Sequence, residues 1–197
     1  WSPSGGTGAT GTGLSGGVVY TVTVEDAEGC TATDNITLTN PPTVTASINA
    51  STDPLCNGDN NGTATVTAGG GTGTLTYSWS PAGGTGTTGT GLSGGVVYTV
   101  TVEDANGCTA SDNITLTDPP LLTASISGTN VSCNGGSDGA ADLTPAGGTG
   151  TYTFIWSNLA TTEDLSSLGI GTYDVTVSDS AGCTALASVT LTEPAAI

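Results

Sequence analysis

The sequence lacks every side chain that carries a positive charge at neutral pH. It contains no lysine, no arginine and no histidine, so its 17 carboxylates give a formal net charge of −17. Nucleic-acid phosphates and anionic lipid headgroups are bound mainly by cationic side chains. We therefore expect neither nucleic acid nor an anionic membrane surface among its partners.

The same absence argues against catalysis. Without histidine or lysine, the only general base near neutral pH would be a carboxylate whose pKa is raised. Serine and cysteine nucleophiles also need a partner base, which the chain does not offer. We expect the chain not to be an enzyme.

Long apolar runs are missing as well. No stretch reaches the roughly 18 apolar residues of a membrane-spanning helix, so we expect no membrane insertion. The first residues, Trp1-Ser2-Pro3, form neither a start methionine nor a signal peptide, so we interpret the sequence as a piece of a longer chain. Apolar residues and threonine nevertheless alternate strictly, which disordered segments do not do.

An internal repeat dominates what is present. Residues 1–42 reappear almost unchanged as residues 79–120, and a more diverged copy follows. A unit of about 77 residues fits one small globular domain. We predict the C-terminal half of a truncated repeat at 1–41, repeats at 42–119 and 120–194, and the start of a further repeat at 195–197. Prolines at these boundaries predict short, stiff linkers, like beads on a string.

Alternation of apolar and polar residues predicts the strands. The clearest predicted strand places Val96, Tyr98, Val100 and Val102 on one face. No stretch has helical periodicity, and about six or seven short strands per repeat are typical of an immunoglobulin-like sandwich. We therefore predict an all-β fold of tandem immunoglobulin-like β-sandwiches without helices. Its core is expected to contain Trp79, Trp156, Tyr98 and Tyr173.

A glycine-rich stretch matches a nucleotide-binding fingerprint. Gly84-x-Gly86-x-x-Gly89 has the required spacing, but the fingerprint has meaning only between a strand and a helix. No helix is predicted there, so we interpret the stretch as a flexible loop.

The third copy contains several diagnostic blocks. They are Thr-Tyr-Thr-Phe-Ile-Trp-Ser-Asn (151–158), Ala-Thr-Thr-Glu-Asp-Leu-Ser-Ser-Leu (160–168), Gly-Thr-Tyr-Asp-Val-Thr-Val-Ser-Asp (171–179), Ala-Gly-Cys-Thr-Ala (181–185) and Asn-Val-Ser-Cys-Asn-Gly-Gly-Ser-Asp-Gly (130–139). Together they resemble the SprB-type repeat. The resemblance implies very large cell-surface adhesins of Bacteroidota, exported by the type IX system and including those that drive gliding motility.

The expected function is that of a structural stalk segment on the outer surface of a Gram-negative bacterium. Such a segment projects a distal adhesive region and bears load, and its partners are neighbouring repeats of the same long chain. Two alternatives stay open: a module whose loops bind surface glycans, and a self-assembling extracellular fibre or sheath made of copies of the chain. Exposed loop aromatics would favour glycan binding, and an unpaired strand would favour fibre assembly.

The cysteines are expected to form disulfides, as in other secreted proteins. Pairing within each repeat is favoured, which joins Cys56 to Cys108 and Cys133 to Cys183 and leaves Cys30 with a partner outside the chain. The alternatives are a Cys56–Cys183 bond between neighbouring repeats, other pairings, and free thiols. If residues 81–95 supply one strand, Cys56 and Cys108 share an end of the sandwich, whereas two strands separate them.

Two further sites are predicted. Asn57, Asp59 and Asn61 offer the hard oxygen ligands that calcium prefers, and Glu103 and Asp104 are expected to complete the site at a repeat junction. The alternative is a plain asparagine-glycine turn, and no other cofactor is expected. Asp179-Ser180-Ala181 resembles the O-glycan acceptor pattern of Bacteroidota, so Ser180 is a candidate for glycosylation.

Overall fold

The computed structural model describes residues 1–197, and its regular elements are all strands. They are β1 (Val19–Glu25), β2 (Thr31–Thr37), β3 (Thr45–Thr52), β4 (Gly62–Gly69), β5 (Thr76–Ser80), β6 (Thr88–Leu92), β7 (Val97–Glu103), β8 (Thr109–Thr115), β9 (Thr123–Thr129), β10 (Gly139–Ala146), β11 (Thr153–Trp156), β12 (Leu165–Leu168), β13 (Gly171–Ser178) and β14 (Thr184–Leu191). None of the elements is a helix of the length and apolarity that crossing a membrane requires.

The second repeat folds into two facing sheets of three antiparallel strands. One sheet has the order β3-β4-β6 and the other β5-β7-β8. Strand β7 shows why the sequence folds this way: Tyr98, Val100 and Val102 are buried, while Val97 and Glu103 point to solvent. Successive side chains of a strand point to opposite faces, so alternation in the sequence becomes one apolar and one exposed face.

The third repeat repeats this arrangement. Its sheets have the orders β9-β10-β12 and β11-β13-β14, and β9 lies against β14 as β3 lies against β8. The first repeat contributes the antiparallel pair β1 and β2. The predicted all-β fold of tandem immunoglobulin-like sandwiches without helices is confirmed, and the predicted domain boundaries stay predictions.

Each sandwich buries its own tryptophan. Trp79 is 6% exposed and Trp156 is 1% exposed, and their indole N–H groups donate to the carbonyl oxygens of Gly86 at 3.0 Å and Thr162 at 2.9 Å. Most of the other buried apolar side chains form two separate clusters, one per sandwich: Ala64, Val66, Leu92, Tyr98, Val100, Val102 and Leu116; and Leu122, Ala141, Leu143, Leu165, Leu168, Val175, Val177 and Leu191.

Tyr173, a predicted core residue, packs against the core of the third repeat from its edge. It is only half-buried, whereas the equivalent Tyr98 is 4% exposed and its hydroxyl accepts the N–H of Ser93 at 3.0 Å. The segment that precedes Tyr173 is shorter than its counterpart before Tyr98. The Tyr173 hydroxyl instead donates to the carbonyl of Gly169 at 3.2 Å, at the rim of the sandwich.

The glycine-rich stretch is a packed element rather than a flexible loop. Strand β6 contains Gly89, and a Cβ atom there would lie 2.8 Å from the indole ring of Trp79. A side chain at this position would displace the ring. The glycines therefore serve close packing, and the flexible-loop interpretation was wrong for the part that forms β6.

The chain doubles back between β5 and β6. Thr72, which follows β4, donates its N–H to Asp104, which follows β7, so these two strands end at the same end of the sandwich. Because β6 is antiparallel to β4 and β5 is antiparallel to β7, β5 and β6 run in the same direction. The reversal takes place within residues 81–87, which form no strand.

Candidate functional site at the repeat junction

A disulfide joins the second and third repeats. Cys56 and Cys183 are bonded with an S–S length of 2.05 Å and a Cα–Cα distance of 5.6 Å. Cys56 lies in the loop before β4, and Cys183 lies in the turn between β13 and β14. We call the end of each sandwich that holds the loop 53–61 or 130–138 its loop end, and the end that holds the turn 104–108 or 179–183 its turn end.

The favoured pairing within each repeat was wrong, and the pairing between neighbours is the one formed. The prediction assumed that successive strands alternate in direction. Because β5 and β6 run the same way, a single intervening strand leaves Cys56 at the loop end and Cys108 at the turn end. Cys30, Cys108 and Cys133 are free and exposed.

The peptide linker at this junction is held by both repeats. The side-chain amide of Asn57 donates to the carbonyl of Pro119 at 2.9 Å, and the N–H of Gly148 donates to the carbonyl of Pro120 at 2.9 Å. Two consecutive carbonyls are thus bound by different repeats. This arrangement limits rotation about the linker in addition to the restriction that proline itself imposes.

The loop, the linker and the turn meet around a small cavity. The cavity has a volume of about 270 Å³ and is lined by Cys56, Asn57, Asp59, Pro120, Leu121, Leu122, Gly182, Cys183 and Thr184. Leu122 belongs at the same time to the core of the third repeat, where it is 6% exposed. The junction is therefore continuous with the folded core that follows it.

The carboxylate of Asp179 shapes the turn that presents Cys183. One oxygen accepts the N–H groups of Ala181 and Cys183, each at 2.9 Å, and the other accepts the N–H of Thr149 at 2.7 Å. The backbone N–H of Asp179 in turn donates to the carbonyl of Cys183 at 3.0 Å. The position of the sulfur therefore depends on one buried carboxylate.

These contacts lower the pKa of the Asp179 carboxyl. Burial works to raise the pKa, but the backbone N–H donors, led by Thr149 and Cys183, favour the ionised form more strongly. The pKa of Asp104 is lowered as well, first by the Cys108 N–H, against an opposing effect of burial. Both carboxyls stabilise the fold when ionised.

Replacing Asp179 by asparagine is expected to lower the melting temperature by several degrees at neutral pH. Either orientation of the amide would point an NH₂ group at a backbone N–H donor. A carboxyl whose pKa is lowered on folding contributes stability above its unfolded value, about 3.9, and loses it as the pH falls through the lower folded value. The difference in melting temperature between wild type and variant should therefore be smaller at about pH 3 than at neutral pH.

Asp174→Asn is the matched control for this experiment. Asp174 is exposed on β13, and its carboxylate accepts no hydrogen bond from the protein. We expect its melting temperature to stay close to that of the wild type. The role assigned to the ionised carboxylate would be contradicted if Asp179→Asn lowered the melting temperature as much at about pH 3 as at neutral pH.

The predicted calcium ligands fall into two groups at opposite ends of the second repeat. Asn57, Asp59 and Asn61 share the loop end, where Asn61 donates to Asp59 at 3.1 Å. Glu103 and Asp104 lie at the turn end, separated from them by the length of β4, on the order of 25 Å. The five residues do not form one site, and no cluster of three or more Asp, Glu, His or Cys side chains is placed to hold a metal. Calcium binding stays a prediction for the loop alone.

Ser180 lies where an exposed turn was predicted. Its hydroxyl accepts the N–H of Thr151 at 2.9 Å and lies 3.1 Å from the hydroxyl of that threonine. The side chain is exposed. Glycosylation of Ser180 stays a prediction.

Sequence reasoning missed the residues that organise the junction. Asn57 was considered as a metal ligand rather than as a hydrogen-bond donor to the linker, and Asp179 was considered only as part of a glycosylation pattern. A signal for the turn exists in the sequence, because Asp-x-x-Gly-Cys occurs in all three copies: Asp26 to Cys30, Asp104 to Cys108, and Asp179 to Cys183.

Comparison with solved structures finds chains of immunoglobulin domains. The N-terminal eight Ig domains of Down Syndrome Cell Adhesion Molecule isoform 1.30.30 match with a TM-score of 0.43 and 13% identity, over 90% of this chain and 28% of that one. The N-terminal four Ig domains of Dscam1 isoform 7.44 match with a TM-score of 0.36 and 16% identity, over 89% and 54%. The chain thus spans about half or less of the length of these structures.

Comparison with protein families agrees with the resemblance found in the sequence. A search of curated proteins found no match. The family model described as SprB repeat matches residues 48–84 and residues 125–161. These segments occupy corresponding positions in the second and third repeats, from β3 to the residues after β5 and from β9 to the residues after β11. Each of the two six-stranded sandwiches therefore contains one segment that is similar to the SprB repeat.

Proposed function

We propose that the chain is a load-bearing stalk segment of a secreted cell-surface adhesin or filament. The observation that carries this proposal is the double covalent connection between the second and third repeats. The peptide linker through Pro119 and Pro120 crosses the junction once, and the Cys56–Cys183 bond crosses it a second time. A pair of connections resists bending and stretching better than a single flexible linker does.

The surface of the chain also suits a passive spacer. Its 17 carboxylates face no basic side chain, so segments of the same kind repel one another and stay extended and soluble. None of the nine aromatic side chains is fully exposed, and this favours the stalk over the glycan-binding alternative. The proposal assigns no catalytic role and no cofactor to the chain.

The SprB match supports a more specific setting for the stalk. In this setting the chain lies on the outer surface of a Gram-negative bacterium of the Bacteroidota, after export through the type IX system. Neighbouring repeats of one long chain are its partners, and the distal adhesive region serves surface attachment or gliding.

The disulfide decides which residues carry tension. When the chain is pulled at its two ends, force passes from Cys56 directly to Cys183, and the intervening residues are shielded. The shielded loop contains strands β4 to β13, and therefore most of both hydrophobic cores. A stalk built in this way bears load while most of its core residues stay outside the force path.

Single-molecule pulling of the chain tests the proposal. In the oxidised protein, full extension should exclude the shielded loop, and reduction should add it. A sequence separation of 127 residues at roughly 3.5 Å per residue corresponds to about 440 Å of additional contour length.

Cys108→Ser is the matched control for the pulling experiment, because Cys108 is exposed and unpaired. We expect its oxidised form to be as short as the wild type. Equal extension of the oxidised and reduced protein would show that the disulfide does not carry load, and the stalk proposal would lose its support.

A further inference from the structure

The three free cysteines occupy the same structural positions as the two bonded ones. Cys133 lies at the loop end of the third repeat, as Cys56 does in the second. Cys30 and Cys108 lie in turns between paired strands, as Cys183 does. The bonded pair therefore joins a loop-end cysteine to the turn-end cysteine of the repeat that follows it.

The cysteine turns are built alike in all three repeats. Cys30 donates its N–H to the Asp26 carboxylate at 2.8 Å, and Cys108 donates to Asp104 at 2.8 Å. Cys183, which is bonded, donates to Asp179 at 2.9 Å. The carbonyl oxygens of all three cysteines accept the N–H of the turn aspartate at 3.0 Å. The free turn cysteines are thus already held in the geometry of the bonded one.

The loop end at Cys133 makes the same contact with the chain that leaves the repeat as the loop end at Cys56 does. Asn134 donates its amide to the carbonyl of Pro194 at 3.2 Å, as Asn57 does to Pro119 at 2.9 Å. Glu193 strengthens this contact by accepting from Asn134 at 2.9 Å. The residues after Pro119 and Pro194 therefore leave their repeats past the same contact.

A groove lies beside Cys133, at the position that corresponds to the cavity beside Cys56. It has a volume of about 440 Å³ and is lined by Ser132, Cys133, Asn134, Pro194, Ala195, Ala196 and Ile197. At the closed junction the corresponding space is completed by Gly182, Cys183 and Thr184 of the next repeat. The loop-end residues Ser132, Cys133 and Asn134 thus line a groove as Cys56 and Asn57 line the junction cavity.

We propose that the loop end at Cys133 is a docking surface for the Asp-x-x-Gly-Cys turn of another repeat of this kind, and that docking closes a disulfide. A second copy of this chain supplies such a turn at Cys30 or Cys108. The inference deepens the stalk function and rests on it, because it extends the closed junction from one place to every place where two repeats meet.

The bond forms by oxidation of two thiols. The sulfur of Cys133 and the sulfur of the docked cysteine together lose two protons and two electrons. A low-molecular-weight disulfide such as oxidised glutathione accepts them, and its own S–S bond breaks to give two molecules of reduced thiol. The protein supplies proximity and orientation.

When each loop-end cysteine bonds to the turn-end cysteine of the next repeat, two separate covalent paths, here called tracks, run along the stalk. One track runs from Cys30 through the first linker to Cys56 and crosses to Cys183 by the disulfide. The other runs from Cys108 through Pro119 and Pro120 to Cys133 and continues through the proposed bond. Each junction is then crossed by the peptide of one track and the disulfide of the other.

Oxidation of the intact chain with a glutathione redox buffer tests the inference. High salt is needed, because it screens the repulsion between copies of net charge −17. Non-reducing mass spectrometry after chymotryptic cleavage then identifies the linked peptides, because leucine and aromatic residues separate all five cysteines. We expect Cys133 joined to Cys30 or Cys108 of another copy, with loss of these species in Cys133→Ser.

Symmetric pairs provide the decisive comparison. Random collision of exposed thiols would yield Cys133–Cys133 and Cys30–Cys30 links as often as mixed ones, and that result overturns the inference. Asn134→Ala should reduce the mixed links while leaving the reaction of Cys133 with a small maleimide unchanged. Equal mixed linkage in Asn134→Ala and wild type would also count against a built docking surface.

The state of Cys56 separates this inference from the stalk function. An intact Cys56–Cys183 bond without any link at Cys133 overturns the docking surface and leaves the stalk function standing. Absence of the Cys56–Cys183 bond itself overturns both.

Discussion

Replacing Cys56 by serine is expected to lower the free energy of unfolding by about 2–5 kcal/mol. The bond closes a loop with a sequence separation of 127 residues, and a loop of this size restricts the unfolded chain strongly in the chain-entropy description. The loss should appear in guanidinium unfolding followed by the fluorescence of Trp79 and Trp156, which lie in separate cores. Reduction of the wild type should give the same curve as the variant.

The pair of cysteines also allows a test of additivity. Cys183→Ser should destabilise as much as Cys56→Ser, and the double variant should be no worse than either, because all three lack the same bond. Cys108→Ser is the control, since this exposed thiol has no partner in the chain. Additive losses in the double variant would mean that the two side chains stabilise the fold separately and not through their bond.

Loss of the disulfide should also make the junction between the second and third repeats more flexible. Without it, the second and third repeats are connected by the linker, with Asn57 and Gly148 as its hydrogen-bonding partners. Hydrogen bonds of this kind contribute about 1 kcal/mol each, which is too little to prevent bending. The distribution of distances between labels placed on the two repeats should broaden in Cys56→Ser.

Replacing Trp156 by alanine is expected to cost about 3–5 kcal/mol, the usual range for removing a buried large aromatic side chain. The side chain is 1% exposed, and its indole N–H donates to the carbonyl of Thr162 at 2.9 Å. The substitution therefore leaves a cavity between the sheets and one backbone acceptor without its donor. Thermal and denaturant unfolding of the third repeat would report the loss.

Ile155 provides the control on the same strand. It precedes Trp156 on β11, points to the opposite face and is 62% exposed. Ile155→Ala should change the free energy of unfolding by about 0.5 kcal/mol or less. If both substitutions had similar effects, the indole would not be the centre of this core.

The role of Asp179 connects stability to the position of the disulfide. The turn that presents Cys183 is held by the Asp179 carboxylate and by a backbone bond between the two residues. A pKa below the ordinary carboxyl value keeps this group ionised well into acid. The junction should therefore keep its geometry over the whole neutral and mildly acidic range.

The strands in which apolar and polar residues alternate clearly could be predicted from the sequence. Strand β7, with Tyr98, Val100 and Val102 facing inward, was predicted from its pattern alone. The buried positions of Trp79 and Trp156 followed from the same reasoning. Alternation is a local property of the chain, so it is visible before any partner strand is known.

Strand β6 could not be predicted in this way. Gly89 and Gly91 break the apolar pattern, and glycine is usually a sign of a turn or loop. The reason for Gly89 is the ring of Trp79, which lies against it in the folded sandwich. Because Gly89 is required by the packing of Trp79, it does not follow the alternation of apolar and polar residues that reveals a strand.

The sequence by itself determined the class of fold, the repeat, the predominantly negative surface and the presence of two cysteines in each of the last two copies. These features depend on composition and on patterns along the chain. Only the tertiary structure decided which cysteines meet, because the reversal within residues 81–87 places Cys56 and Cys108 at opposite ends and brings Cys56 to Cys183 of the next repeat. The pairing depends on the directions of strands in two different sheets, and no local pattern encodes that relation.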